Sequence, residues 1–295
     1  MRHFEPESSV RSDAAVAVRR ILAMLPGMKL PLLLAAALAG LVVTASAQNA
    51  ALARLENSPR HHEWIEIPAN DRTLHTFVAY PEVSGRALAV IVIHENRGLT
   101  DWVRAVTDRL AEAGYIALAP DLLSGAGPGG GRTKDFASAD DARNALGQLK
   151  GDAVLADLRA VAAQARALPA ANGRVAVVGF CWGGSQTWRL ALSGEDLVLA
   201  APFYGTAPAE ADFAAIVPAV HGFYGGNDAR VNATLEKTAA AMQAAGRTFV
   251  PVLYDGAGHA FMRAGEESDA SAANRNAMEQ SWTRLLSLLS AAASR

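Results

Sequence analysis

The residues best equipped for chemistry surround the one cysteine of the chain, Cys181, in the stretch VAVVGFCWGGS. An apolar run, Val175–Val178, leads into Gly179-Phe180-Cys181-Trp182-Gly183, and a helical pattern begins near Gly184. A nucleophile on so sharp a strand-to-helix turn needs glycine two residues to either side, because side chains there would collide with the neighbouring strand and helix. The turn lifts the sulfur above the sheet edge and aims a helix N-terminus at it, which favours a thiolate and, later, an oxyanion. An acid and then a histidine are expected downstream. Asp228 follows the run Pro218–Gly222 in YGGND, and His259 follows Phe249–Leu253 in YDGAGH. Asp255 is a rival acid, but it shares a loop with His259 and is poorly placed to orient that ring.

These residues need a frame that brings distant strand ends together. Trp64–Ile67 and His75–Tyr80 read as antiparallel strands, and Leu88–Ile93 as a buried parallel strand. Thr100–Ala113 reads as a helix and Tyr115–Leu118 as the next strand. Asp152–Leu168 places Val154, Leu155, Leu158, Val161, Ala162 and Ala165 on one helix face. Further strands are expected at Arg174–Val178, Val198–Ala201, Pro218–Gly222 and Phe249–Leu253, with a last helix over Ser271–Ala291. Alternating strands and helices imply an α/β fold: a mostly parallel sheet of about eight strands, with helices on both faces. Cys181, Asp228 and His259 then fall at carboxyl ends of strands, the edge where such sheets bind ligands.

The chain has 295 residues, 51% of them hydrophobic, enough to bury a full core. A net charge of −2 with no basic block argues against nucleic acid as a partner. Residues 1–47 read as an N-terminal extension followed by a signal peptide. Lys29 supplies the positive start, Leu30 to Val43 the apolar run, and Ala45-Ser46-Ala47 the cleavage site. Translation starts at Met1 or at Met28. Arg19-Arg20 only loosely matches a twin-arginine signal. The reading is an exported, periplasmic protein with no stable membrane span after cleavage; the alternative is an uncleaved membrane anchor. Polar residues 48–62 read as a linker or arm, and 63–295 as one catalytic domain. The segment SGAGPGGGRTK, at 124–134, lacks the spacing of a phosphate loop and reads as a flexible surface loop or flap.

Taken together, HENRGL at 94–99, GYIALAPDL at 114–122, VGFCWGG at 178–184, YGGNDARV at 224–231 and GAGHAFMR at 256–263 resemble the dienelactone hydrolase (carboxymethylenebutenolidase) family of α/β-hydrolases. The resemblance runs from about Ile91 to the C-terminal helix. It implies a Cys–His–Asp triad on Cys181, His259 and Asp228, a glutamate beside the thiol at Glu95, and oxyanion-hole amides from Asn96 and Trp182. A carboxylate near a resting thiol disfavours its ionisation, so Glu95 would keep the sulfur neutral until substrate moves it. A structural acid paired with Arg97 is the plainer role for Glu95, and a packed loop residue that for His94. The resemblance further implies an arginine that grips a substrate carboxylate. Arg263 matches one such position, Arg97 is a second candidate, and neither Arg132 nor Arg143 lies in a matching motif. Phe180 and Trp182 flank the thiol as walls of an apolar pocket, or as core.

The expected chemistry is acyl transfer from a small ester or lactone through a thioester on Cys181, with no metal and no organic cofactor. A broad carboxylesterase or thioesterase running on the same residues is the alternative. A non-catalytic exported binding protein with a buried Cys181 is a third.

Overall fold

The computed structural model of the protein describes residues 50–294. The expected signal segment lies outside them. The eight strands are β1 (His62–Ala69), β2 (Arg72–Ala79), β3 (Ala87–Ile93), β4 (Ile116–Pro120), β5 (Ala171–Phe180), β6 (Leu199–Phe203), β7 (Val220–Gly225) and β8 (Phe249–Tyr254). They form one sheet in the order β1-β2-β4-β3-β5-β6-β7-β8. Only β1 and β2 run against their neighbours. From β4 to β8 every pairing is parallel. Each strand expected from the sequence is present, mostly one to three residues longer.

Alternation along β3 shows how the sheet divides the interior. Leu88, Val90 and Val92 enter one apolar cluster, while Ala89, Ile91 and Ile93 enter the other. Both faces are buried, so the strand reads as an uninterrupted apolar run. The first cluster is closed by helices α1 (Asp101–Glu112) and α6 (Ala272–Ala293). The second is closed by α3 (Gly151–Ala167), α4 (Trp182–Leu192) and α5 (Leu235–Ala244). Helix α2 (Ala139–Gln148) has no counterpart in the sequence reading. It buries only Ala142 and Leu146, against Leu123, Phe136 and Trp182.

The glycine-rich segment is held down rather than loose. Asp121 accepts hydrogen bonds from the Thr133 amide and hydroxyl, at 3.0 and 2.6 Å, and Thr133 Oγ1 accepts from the Leu99 amide at 3.0 Å. It is thereby tied to the loop that carries Glu95 and Asn96.

Candidate active site

Four strands deliver the site. β5 ends at Phe180, and Cys181 occupies the turn into α4 with φ 55° and ψ −113°, a conformation that non-glycine residues adopt only under constraint. The constraint is visible at both ends: the Cys181 amide donates to Phe203 O at 3.0 Å, and Cys181 O accepts from the Ser185 amide at 3.2 Å. Gly183 is obligatory here. A Cβ on it would lie 2.3 Å from Ile93 O and 2.4 Å from His94 O, so the turn sits directly on the end of β3.

The loops after β7 and β8 are laced together by their backbones. Gly226 N donates to Tyr254 O at 2.7 Å and Asn227 N to Ala257 O at 2.9 Å. A side chain at Gly225 would meet Gly258 O at 2.5 Å. Asp228, buried at the start of a single helical turn, accepts from the Val231 amide through Oδ1 at 3.4 Å. Its other oxygen, Oδ2, takes the His259 Nδ1–H at 2.5 Å. On the opposite side of the ring, His259 Nε2 lies 3.1 Å from Cys181 Sγ. Asp255 is exposed on its loop and takes no part. The hydrogen bond to Cys181 pushes the His259 imidazole up to about 9; burial opposes this and Asp228 reinforces it. The affinity of the ring for a proton is thereby raised.

Glu95 differs from expectation. It is buried, and its Oε2 accepts from Arg263 Nε at 3.0 Å rather than pairing with Arg97. A buried carboxylate takes the cation that can reach it, and Arg263 sits on the turn just after His259. Burial disfavours the charge on Arg263, and Glu95 restores it. Arg263 thus meets a protein carboxylate in this state. Arg97 is half-buried with no ion pair among the described residues. Arg132 lies over the Trp64 ring at 4.0 Å and Arg143 pairs with Asp140, so neither is a second carboxylate-binding arginine at the thiol.

Asn96 lies in the loop after β3, and Trp182 is the first residue of α4, directly after Cys181. Neither of their amides donates to another group among the described residues. The Trp182 indole stacks on His94, ring centroids 5.5 Å apart and planes at 11°. Phe180 is not a pocket wall: it is wholly buried between Trp102, Phe203 and Tyr204. Alternation along β5 explains this, since Val178 and Phe180 share the core-facing side. Tyr204, to which no motif in the sequence points, has φ 39° and packs against His259 with ring centroids 5.0 Å apart and planes tilted by 59°. Nor does the sequence advertise Glu266, which accepts from Trp102 Nε1 at 3.0 Å and Arg109 Nη1 at 2.6 Å and so ties the His259–Arg263 turn to α1. Among the described residues no cluster of histidine, cysteine and acidic side chains could hold a metal ion, and no helix is long and apolar enough to cross a membrane.

A parallel sheet with a thiol, an imidazole and a carboxylate lined up at its carboxyl edge defines a hydrolase of the α/β-hydrolase fold. The dienelactone hydrolase family profile matches residues 74–293, and the chain belongs to that family. Among its relatives is a carboxymethylenebutenolidase-type protein of Methylorubrum extorquens, 32% identical over 213 residues, covering 67% of this chain and 71% of the relative. Another, from Escherichia coli strain K12, is 31% identical over 236 residues, covering 76% and 84%. A solved dienelactone hydrolase-type structure from Klebsiella pneumoniae superposes with a TM-score of 0.68 at 26% identity, covering 78% of this chain and 98% of that one.

Proposed function

We propose that the protein hydrolyses a small ester or lactone through a thioester on Cys181. The observation that carries this is the aligned series Cys181 Sγ, His259, Asp228, at 3.1 and 2.5 Å. His259, whose Nδ1–H is fixed by Asp228, takes the Cys181 proton as the sulfur attacks. Sγ bonds to the carbonyl carbon, and the C=O π pair moves onto oxygen, where the Asn96 and Trp182 amides receive it. Losing one such donor typically lowers the rate by about 10²–10³-fold. Collapse of the adduct breaks the C–O bond, and the leaving oxygen takes the proton from His259 Nε2. Water then gives a proton to His259 and attacks the thioester. The second collapse releases the acid and returns the thiolate.

The Glu95–Arg263 pair suggests how substrate is sensed. A carboxylate on the incoming molecule would compete with Glu95 for the Arg263 guanidinium. That Arg132 and Arg143 are engaged elsewhere also supports a second reading: a broader carboxylesterase or thioesterase whose substrates need no carboxylate. For location, the sequence from Lys29 to Ala47 supports export to the periplasm, with cleavage after Ala47. A mature protein beginning before Lys29 would refute that.

The decisive experiment compares the native enzyme with Cys181→Ala and Arg263→Ala on matched acidic lactones and neutral aryl esters. Cys181→Ala should abolish turnover, and denaturation in mid-reaction should trap an acyl group on the Cys181 peptide by mass. Retained hydrolysis in Cys181→Ala rejects the proposal. A rise in KM for acidic lactones alone in Arg263→Ala supports carboxylate recognition; an unchanged KM favours the broader reading.

A further inference from the structure

His94 is wholly buried at the end of β3, and both of its ring nitrogens are engaged. Nδ1 lies 2.8 Å from the Glu95 carbonyl oxygen. A carbonyl only accepts, so Nδ1 carries the hydrogen. Nε2 lies 3.3 Å from the Leu122 amide, which only donates, so Nε2 presents its lone pair. The two contacts admit one form of the ring, the neutral Nδ1–H tautomer. Burial lowers the basicity of the imidazole and favours that form, although the Asp121 carboxylate pulls the other way.

What this ring holds is the Glu95–Asn96 peptide. In a trans peptide the C=O and the following N–H point in opposite directions. Turning the Glu95 oxygen inward to His94 therefore turns the Asn96 N–H outward. Meanwhile one face of the same ring supports the Trp182 indole. The backbone beneath is equally fixed, since Gly183 sits against His94 O with no room for a Cβ.

We infer that His94 is a positioning residue for the oxyanion hole, whose Nδ1–H sets the direction of the Asn96 amide and whose ring steadies the residue supplying the second donor. The inference rests on the acyl-transfer reading above and assigns His94 no contact with substrate. Gly98 N also donates to Glu95 O, at 3.3 Å, so without His94 the peptide keeps one weaker restraint. The expected loss is accordingly about 10²-fold in kcat, the low end for deleting an oxyanion donor outright.

Asparagine and leucine are nearly the same size, and only asparagine can place an N–H where Nδ1 stands. His94→Leu should lose kcat on a neutral aryl ester with KM nearly unchanged, and His94→Asn should recover most of the loss. Binding of an aryl trifluoromethyl ketone, which adds the thiol to form an anionic hemithioketal, should weaken in His94→Leu by the factor lost in kcat. Alkylation of Cys181 by iodoacetamide develops no oxyanion and should proceed at the native rate. If leucine prevents folding, His94→Ala takes its place with the same expected order. Equal activity in the Asn and Leu variants overturns the inference, as does alkylation falling in step with kcat. A native enzyme that neither hydrolyses esters nor binds the ketone instead overturns the acyl-transfer reading beneath it.

Discussion

At the scale of single residues, the site is an arrangement of charges that must hold a proton on His259. Asp228 is well suited to this because one oxygen is committed to the Val231 amide and the other to the ring. The hydrogen bond to Cys181, reinforced by Asp228, raises the His259 pKa from 6.5 to about 9, with a consequence for stability. A base whose folded-state value is raised stabilises the fold fully below its unfolded value and loses that contribution as pH rises through the folded value. The gap in melting temperature between the native protein and His259→Gln should thus be widest below about pH 6.5 and close above about pH 9. Melting curves across that interval test it, and a gap indifferent to pH would count against the protonated ring. The identities of Cys181, Asp228 and His259 were legible because their order and their place after strands are local properties. The partner of Glu95 was not. Arg263 lies 168 residues away along the chain, and only the closed sheet brings the two side chains to 3.0 Å.

The elements position this chemistry through close backbone approach more than through side-chain contact. Gly183→Ala would drive a Cβ into the carbonyl oxygens of Ile93, the last residue of β3, and His94, the next residue, and neither backbone group can swing aside. Overpacking of this kind costs typically about 1–3 kcal/mol, and here the strain falls on the turn that carries Cys181. The expected result is lower stability with kcat falling more than KM changes. Gly147, on the exposed face of α2, offers the contrast: nothing lies within 4 Å of its added Cβ. Gly147→Ala should leave activity intact and raise stability by about 0.5–1 kcal/mol, the difference in helix preference between the two residues. Urea unfolding of the pair checks both, and an equally tolerated Gly183→Ala would refute the close-approach account. The glycines at the turn were readable as a motif. Helix α2 was not, because two buried residues in ten leave too faint an apolar stripe. Its one local marker is Ser138, which accepts from the Asp141 amide at 3.1 Å as an N-cap.

At the scale of the whole molecule, the sequence conveys a mostly parallel sheet and the edge where the site lies, but neither the strand order nor what fastens the N-terminal arm. Residues 50–56 are helical, and the polar stretch after them ends on one carboxylate in α1. Asp108 is completely buried and accepts from Arg60 Nε at 2.7 Å, Arg60 Nη2 at 2.8 Å, Ser58 Oγ at 2.5 Å and His62 Nε2 at 2.9 Å, with Arg54 Nε paired at 2.8 Å. Composition alone reads such a stretch as solvated, since nothing local announces that its charges converge on one acid. Burial would push the Asp108 pKa up, yet the bonds from Arg60, Ser58 and His62 hold it well below the usual carboxylate range. Its contribution is therefore present above the unfolded value near 4 and lost only in strong acid. Removing the acid leaves Arg54 and Arg60 with the more exposed Glu112, at 2.6 and 3.8 Å, as their remaining partner. Breaking a buried pair on one side costs about 3–5 kcal/mol, and the low end applies because Arg54 keeps access to water. Asp108→Ala should release the arm before it unfolds the sheet, so trypsin should cut after Arg54 and Arg60 at temperatures where the native chain resists. Activity per folded molecule should change little, since Asp108 touches none of the groups around Cys181. A variant no more susceptible at those two arginines than the native protein would mean that other contacts hold the arm.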